Sequence, residues 1–143
     1  MAAREGSGRR AAPNPTDSEL EILQVLWERG EATVRDVHEA IGAARGTGYT
    51  TILKLMQIMA AKGLVRRDES RRTHVYRAAL PREATERRLV RALVDRAFAG
   101  SAARLVLSAL SARPASAEEL DEIRRLIDAA RPGEPRPRRG KRP

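Results

Sequence analysis

The chain contains no cysteine, two histidines, two tyrosines, one tryptophan and one phenylalanine among its 143 residues. Without thiols there is no disulfide, no thiolate metal site and no cysteine nucleophile. His38 and His74 lie far apart with no further imidazole at ligand spacing, so they read as surface or edge residues, and no metal or other cofactor is expected. Aromatics make up only 3% of a chain that is 41% hydrophobic, so aliphatic and alanine side chains must fill the interior. That favours helices over a sheet sandwich. No run approaches the ~20 apolar residues that span a bilayer, and residues 1–15 lack an apolar signal core, so a cytoplasmic location is expected. The sequence also lacks HExxH, a phosphate-cradling glycine loop and Gly-x-Ser-x-Gly, and neither histidine has a nucleophile or orienting acid beside it. No enzyme is expected.

What is abundant is arginine. The net charge of +9 points to a polyanionic partner, but its distribution says more than its total. Residues 1–15 (+2) and 131–143 (+5) are rich in Pro, Gly and Arg without hydrophobic periodicity, and read as disordered arms with a general attraction to phosphate. Between them the charge is polarised. Residues 16–44 carry Arg29 and Arg35 against Asp17, Glu19, Glu21, Glu28, Glu31, Asp36 and Glu39, a net of −5. Residues 45–80 carry Arg45, Lys54, Lys62, Arg66, Arg67, Arg71, Arg72 and Arg77 against Asp68 and Glu69, a net of +6. Such a module can present one side to nucleic acid and keep the other away.

The order of elements is legible in the caps. Thr16-Asp17-Ser18-Glu19 is a capping box opening a helix to about Arg29, with Leu20, Leu23, Leu26 and Trp27 as its core face and Gly30 as its stop. Thr33 and Asp36 open a two-turn second helix whose face is Val34, Val37, His38 and Ile41, with Gly42 expected to end it. After a glycine-containing turn, a third helix runs from about Tyr49 to Lys62 and closes at Gly63. Ile52, Leu55, Met56 and Met59 share its inner side, whereas Thr50, Lys54, Gln57 and Ala61 form an outward stripe of one small or polar residue per turn. Residues 64–67 and 73–77 read as strands joined by a basic tip. Three helices followed by a hairpin give a winged helix-turn-helix, and the fold class is mainly α with a small β-hairpin.

From Pro81 three short amphipathic helices follow, the last opened by a capping box at Ser116-Ala117-Glu118-Glu119. About fifty residues of this kind cannot bury a stable core alone. A second copy would cover Leu89, Leu93, Phe98, Leu105, Leu110, Leu120, Ile123 and Ile127. The expected organisation is an arm (1–15), a DNA-binding domain (16–80), a dimerisation region (81–130) and a tail (131–143). Candidate DNA contacts are Thr47, Tyr49, Thr50, Thr51, Lys54 and Gln57 around the third helix, and Arg66, Arg67, Arg71, Arg72 and His74 on the wing. A sequence-specific repressor, a ligand-responsive regulator and a dimeric protein-interaction module all remain compatible with this pattern.

Residues 16–27, TDSELEILQVLW, together with Tyr49-Thr50-Thr51-Ile52-Leu53-Lys54, Lys62-Gly63-Leu64-Val65 and His74-Val75-Tyr76, resemble the penicillinase repressor (BlaI/MecI) family. The likeness continues through Phe98-Ala99-Gly100-Ser101, Leu105-Val106-Leu107 and Ser116-Ala117-Glu118-Glu119-Leu120. It implies a homodimeric winged-helix repressor on an inverted-repeat operator, a helical dimerisation region, and often a membrane-bound metallopeptidase sensor as partner. In the penicillin-resistance members cleavage near the start of the dimerisation region relieves repression. The matching stretch here, Gly100-Ser101-Ala102-Ala103-Arg104, has no asparagine–phenylalanine pair. The paired cysteines of copper-responsive relatives are absent too, and Ile58 stands where many relatives carry arginine.

Overall fold

The structure, a computed structural model, describes residues 12–131. The two basic arms therefore lie outside the described residues except for positions 12–15 and Arg131. Helix α1 (Asp17–Arg29) opens on the expected capping box: Thr16 Oγ1 accepts from the Glu19 N–H at 3.2 Å, and Glu19 Oε1 accepts from the Thr16 N–H at 3.0 Å. Its buried face is broader than the spacing predicts. Ile22 and Val25 join Leu23 and Leu26 in the core, while Leu20 is half-buried, because α1 packs on both sides, against helix and hairpin. Trp27 is half-buried and packs against the core at its edge. Its indole N–H donates to the Leu80 carbonyl at 2.9 Å, and the Arg82 guanidinium lies 5.2 Å from the ring centroid, so the polar tip and one π-face are both engaged.

The second helical segment does not stop at Gly42. Helix α2 (Val34–Val37), capped reciprocally by Thr33 and Asp36, passes into a π turn (His38–Gly42) and continues as α3 (Ala43–Arg45) before Gly46, at φ +70°, ends it. Gly42 itself has helical torsions, φ −65° and ψ −44°. Glycine is needed there for space: a Cβ would overlap His38 Cδ2 and sit 3.0 Å from the Thr47 carbonyl oxygen. The glycine signal marks a close approach, not a terminus.

Helix α4 (Tyr49–Lys62) ends at Gly63, φ +87°, and buries Ile52, Met56 and Met59 as expected, with Leu55 only half-buried. Strands β1 (Val65–Asp68) and β2 (Val75–Ala78) pair antiparallel with Val65 opposite Ala78 and Asp68 opposite Val75. They begin and end one or two residues later than the sequence pattern places them. A pairing that the pattern does not reveal joins β2 to the segment between α1 and α2. The Ala32 N–H donates to the Tyr76 carbonyl at 3.0 Å, and the Tyr76 N–H donates back at 2.8 Å. Tyr76 is consequently among the most buried side chains, packed with Ile22, Leu26, Val37 and Met56 in one core.

Helix α5 (Arg82–Ala97) follows, and the chain divides into two compact units between Leu93 and Val94, within this helix. Its first turns are held to the first unit by the Trp27–Leu80 bond, by Arg82 donating to Gln24 at 2.9 Å, by buried Thr85 and by Arg88 donating to the Ala12 carbonyl. Ala99 (φ +52°) and Gly100 (φ +78°) make the corner that ends it. Helices α6 (Ala102–Ala112) and α7 (Ala117–Ala130) start at the N-caps Ser101 and Ser116. Only half of the expected capping box forms at α7: Ser116 Oγ accepts from Glu119 at 3.0 Å, without the reciprocal bond. Neither helix has a buried residue. Among the described residues no helix is long and apolar enough to cross a membrane.

Candidate nucleic-acid interface

The outward face of α4 follows from its inward one. Packing Ile52, Met56 and Met59 against α1 and α2 turns Thr50, Lys54, Gln57 and Ala61 to the opposite side, and all four are exposed. Thr51 is exposed on one flank, with Ile58, 42% exposed, beside it; Tyr49 is 47% exposed at the start of the helix. Thr47 differs from the others. It is half-buried in the preceding turn, its N–H donating to the Gly42 carbonyl at 2.8 Å and its carbonyl 3.1 Å from His38 Nε2. The His38 ring also meets Tyr49 edge-on, centroids 6.0 Å apart. His38 thus joins the π turn to the beginning of α4, a role that its isolation in the sequence gave no reason to expect.

Ion pairing redistributes the charge that the sequence displays. Four cations of the basic half are matched to carboxylates of the acidic half: Lys62 to Glu19 at 2.7 Å, Arg45 to Glu21 at 3.0 Å, and Arg77 and Arg71 to Glu31 at 2.7 and 3.6 Å. Arg67 pairs with Glu69 at 2.6 Å, and the hydrogen bonds its guanidinium makes to Tyr76 first and Glu69 second hold it above the ordinary arginine range. Of the eight cations of residues 45–80, Lys54, Arg66 and Arg72 make no ion pair among the described residues, so the unmatched positive charge of that segment lies on the α4 stripe and the hairpin. The tip is shaped by Asp68, which accepts from the Ser70 hydroxyl at 2.7 Å and the Ser70 N–H at 2.9 Å. Those bonds hold its carboxyl below the usual range.

Glu19 is the one buried acid among the described residues. Burial pushes its carboxyl up, but the Lys62 ammonium and the Thr16 N–H outweigh that and leave it below its ordinary value. The pair ties the start of α1 to the last turn of α4, and so fixes the angle at which the α4 stripe is presented. No group of His, Asp or Glu able to hold a metal ion occurs among the described residues.

A winged helix with this stripe and a basic hairpin is a known arrangement, and a model of the penicillinase repressor family matches residues 15–129. The chain belongs to the penicillinase repressor family. Transcriptional regulator BlaI of Mycobacterium tuberculosis (strain CDC 1551 / Oshkosh) is 43% identical over 61 residues, covering 42% of this chain and 44% of the relative. BlaI of strain ATCC 25618 / H37Rv matches equally. The methicillin resistance regulatory protein MecI of Mammaliicoccus sciuri is 20% identical over 113 residues, covering 79% of this chain and 92% of that protein. The matched region thus spans less than half the length of the BlaI relatives. Family and relatives carry the names of regulators, not of enzymes.

The eight apolar residues expected at a dimer interface are nowhere buried within the single chain. Leu89, Phe98, Leu105, Leu110, Leu120 and Ile123 are half-buried, and Leu93 and Ile127 are exposed. Leu107, which the helical spacing leaves off that stripe, is the most exposed of the large hydrophobic side chains among the described residues, at 69%.

Proposed function

We propose that this member of the penicillinase repressor family is a sequence-specific DNA-binding transcriptional repressor that acts as a homodimer on an inverted-repeat operator. Residues 16–80 carry the DNA contacts and 81–130 the dimer contacts. The observation that carries this reading is the exposed Thr50–Lys54–Gln57 stripe, backed by the buried Ile52–Met56–Met59 face and flanked by Arg66 and Arg72, which make no ion pair among the described residues. Lysine and glutamine on an exposed helix can bond base edges in the major groove, whereas arginines on a hairpin meet phosphates. Tyr49, Thr51, Thr47, Arg67, Arg71 and His74 complete the surface.

The unburied leucines of α6 and α7 support pairing with a second copy, since such apolar area facing water is unfavourable. A two-fold dimer sets its α4 helices about 34 Å apart or a multiple of that. Family membership supports induction through a membrane-bound peptidase partner. Cleavage at an asparagine–phenylalanine pair is not available to Gly100–Arg104.

The test is a binding titration with the DNA upstream of its own gene. Lys54→Ala with Gln57→Ala should relax operator discrimination by ~1–3 kcal/mol per base contact while the fold is retained. Truncation before Gly100 should give a monomeric winged helix that binds a single half-site weakly. Unchanged discrimination in the double variant, or a truncated chain that still sediments as a dimer, refutes the respective half of the proposal.

A further inference from the structure

Between α4 and the hairpin lies a cavity of about 240 Å³, walled among others by Arg35, Tyr49, Gln57, Arg67, Arg72 and His74. Three arginines and a histidine are among its lining residues, and none of those residues is acidic. Arg67 is already matched by Glu69, but Arg35 and Arg72 have no ion-pair partner among the described residues. Asp36, next to Arg35, commits its carboxylate to the Thr33 N–H at 3.0 Å. Three arginines around one open cavity, only Arg67 of them in an ion pair, with no acidic residue in the lining, favour an anion entering it. At ~30 Å³ per water the space holds about eight waters, enough for an ionised tetrahedral group in place of some of them.

We propose that this cavity is the seat of one phosphate group of the DNA backbone, held by Arg35 from α2 and Arg72 from the wing. The Tyr49 hydroxyl and His74 supply further donors. The proposal rests on the DNA-binding reading above and adds to it a contact from α2. Arg35 escapes sequence inspection because it belongs to the acidic half of the domain; only folding carries it to the basic side. A phosphate gripped from both walls fixes how far α4 enters the groove and carries no base preference of its own.

The experiment uses the full chain and measures binding to the operator and to an unrelated duplex over a range of salt. Arg35→Ala should weaken both by the same factor, about tenfold at low salt, and lower the slope of log K against log[salt] by ~0.9. Arg35→Lys should keep the slope and recover only part of the affinity, because an ammonium cannot grip two oxygens side by side. A scan of single methylphosphonate substitutions should find one position whose neutralisation weakens the wild type but not Arg35→Ala. Thermal unfolding of Arg35→Ala and Arg35→Gln, at an exposed position, should match wild type. Unchanged affinity and slope in Arg35→Ala, or no such position in the scan, overturns the seat while leaving the DNA-binding reading intact. If inorganic phosphate shifts the NMR signals of Arg35, Tyr49 and His74 while Arg35→Ala binds operator normally, the cavity serves a free anion and the proposal is overturned. Failure of the wild type to bind any duplex overturns both.

Discussion

Gly42→Ala tests whether the turn before α4 is built on close packing. Gly42 has helical torsions, so helix propensity alone says that alanine should stabilise the protein by about 1 kcal/mol. The tertiary structure says the opposite. The new methyl would overlap His38 Cδ2 and press on the Thr47 carbonyl oxygen at 3.0 Å. Moving the imidazole aside breaks its 3.1 Å bond to Thr47, about 1 kcal/mol, and its edge contact with Tyr49, about 0.5–1.5 kcal/mol. The residual pressure on the Thr47 carbonyl adds an overpacking cost of about 1 kcal/mol or more. Set against the propensity gain, the net is a destabilisation of about 1–3 kcal/mol. Urea unfolding of the full chain should show it as a lower midpoint at unchanged slope. In a His38→Ala background the same substitution should cost much less, since the ring it strikes is gone; that non-additivity isolates the contact. A Gly42→Ala protein as stable as wild type, or more so, would refute the packing argument and leave Gly42 as an ordinary helical glycine.

Two further outcomes follow from single contacts. Glu19→Gln should destabilise by about 1–2 kcal/mol at neutral pH, because it removes the charge that the half-buried Lys62 faces. The wild-type carboxyl lies below its ordinary value in the folded state, so its contribution is fully present above pH 4.5 and is lost as the pH falls through the lower folded value. The two proteins should therefore converge in stability in acid, and a gap that persists there rules the ion pair out as the cause. At the corner after α5, Gly100→Ala meets no atom within 4 Å, so any effect is backbone strain at φ +78°. It should cost about 1 kcal/mol, whereas Ala99→Gly, at φ +52°, should be neutral or slightly stabilising. Equal thermal midpoints for Gly100→Ala and wild type contradict that reading.

Much of the architecture is written in local signals. The two reciprocal caps at Thr16 and Thr33, the left-handed stops at Gly30 and Gly63, and the apolar face of α4 form where the residues say they should, because each depends on neighbours three or four positions away. The winged-helix order, and the exposure of Thr50, Lys54 and Gln57, follow from those signals without any knowledge of packing. Local signals mislead where a packing contact decides a residue's surroundings. Gly42 looks like a stop because glycine often ends helices, but its reason is the His38 ring. Periodicity places Trp27 on the core face of α1, and it does pack against the core, but at the edge where Leu80 and Arg82 arrive from beyond the hairpin.

The charge pattern shows the same division. A basic segment after an acidic one was evident from composition, but composition cannot say which charges are already matched. Folding brings Glu19, Glu21 and Glu31 against Lys62, Arg45, Arg71 and Arg77, leaving Lys54, Arg66 and Arg72 unmatched and adding Arg35 beside them. The physical reason is one of range. Caps and helical faces are set within a turn of chain, whereas the ion pairs between the acidic and basic halves and the Ala32–Tyr76 bridge join residues more than twenty positions apart, and only the three-dimensional path of the backbone brings those together.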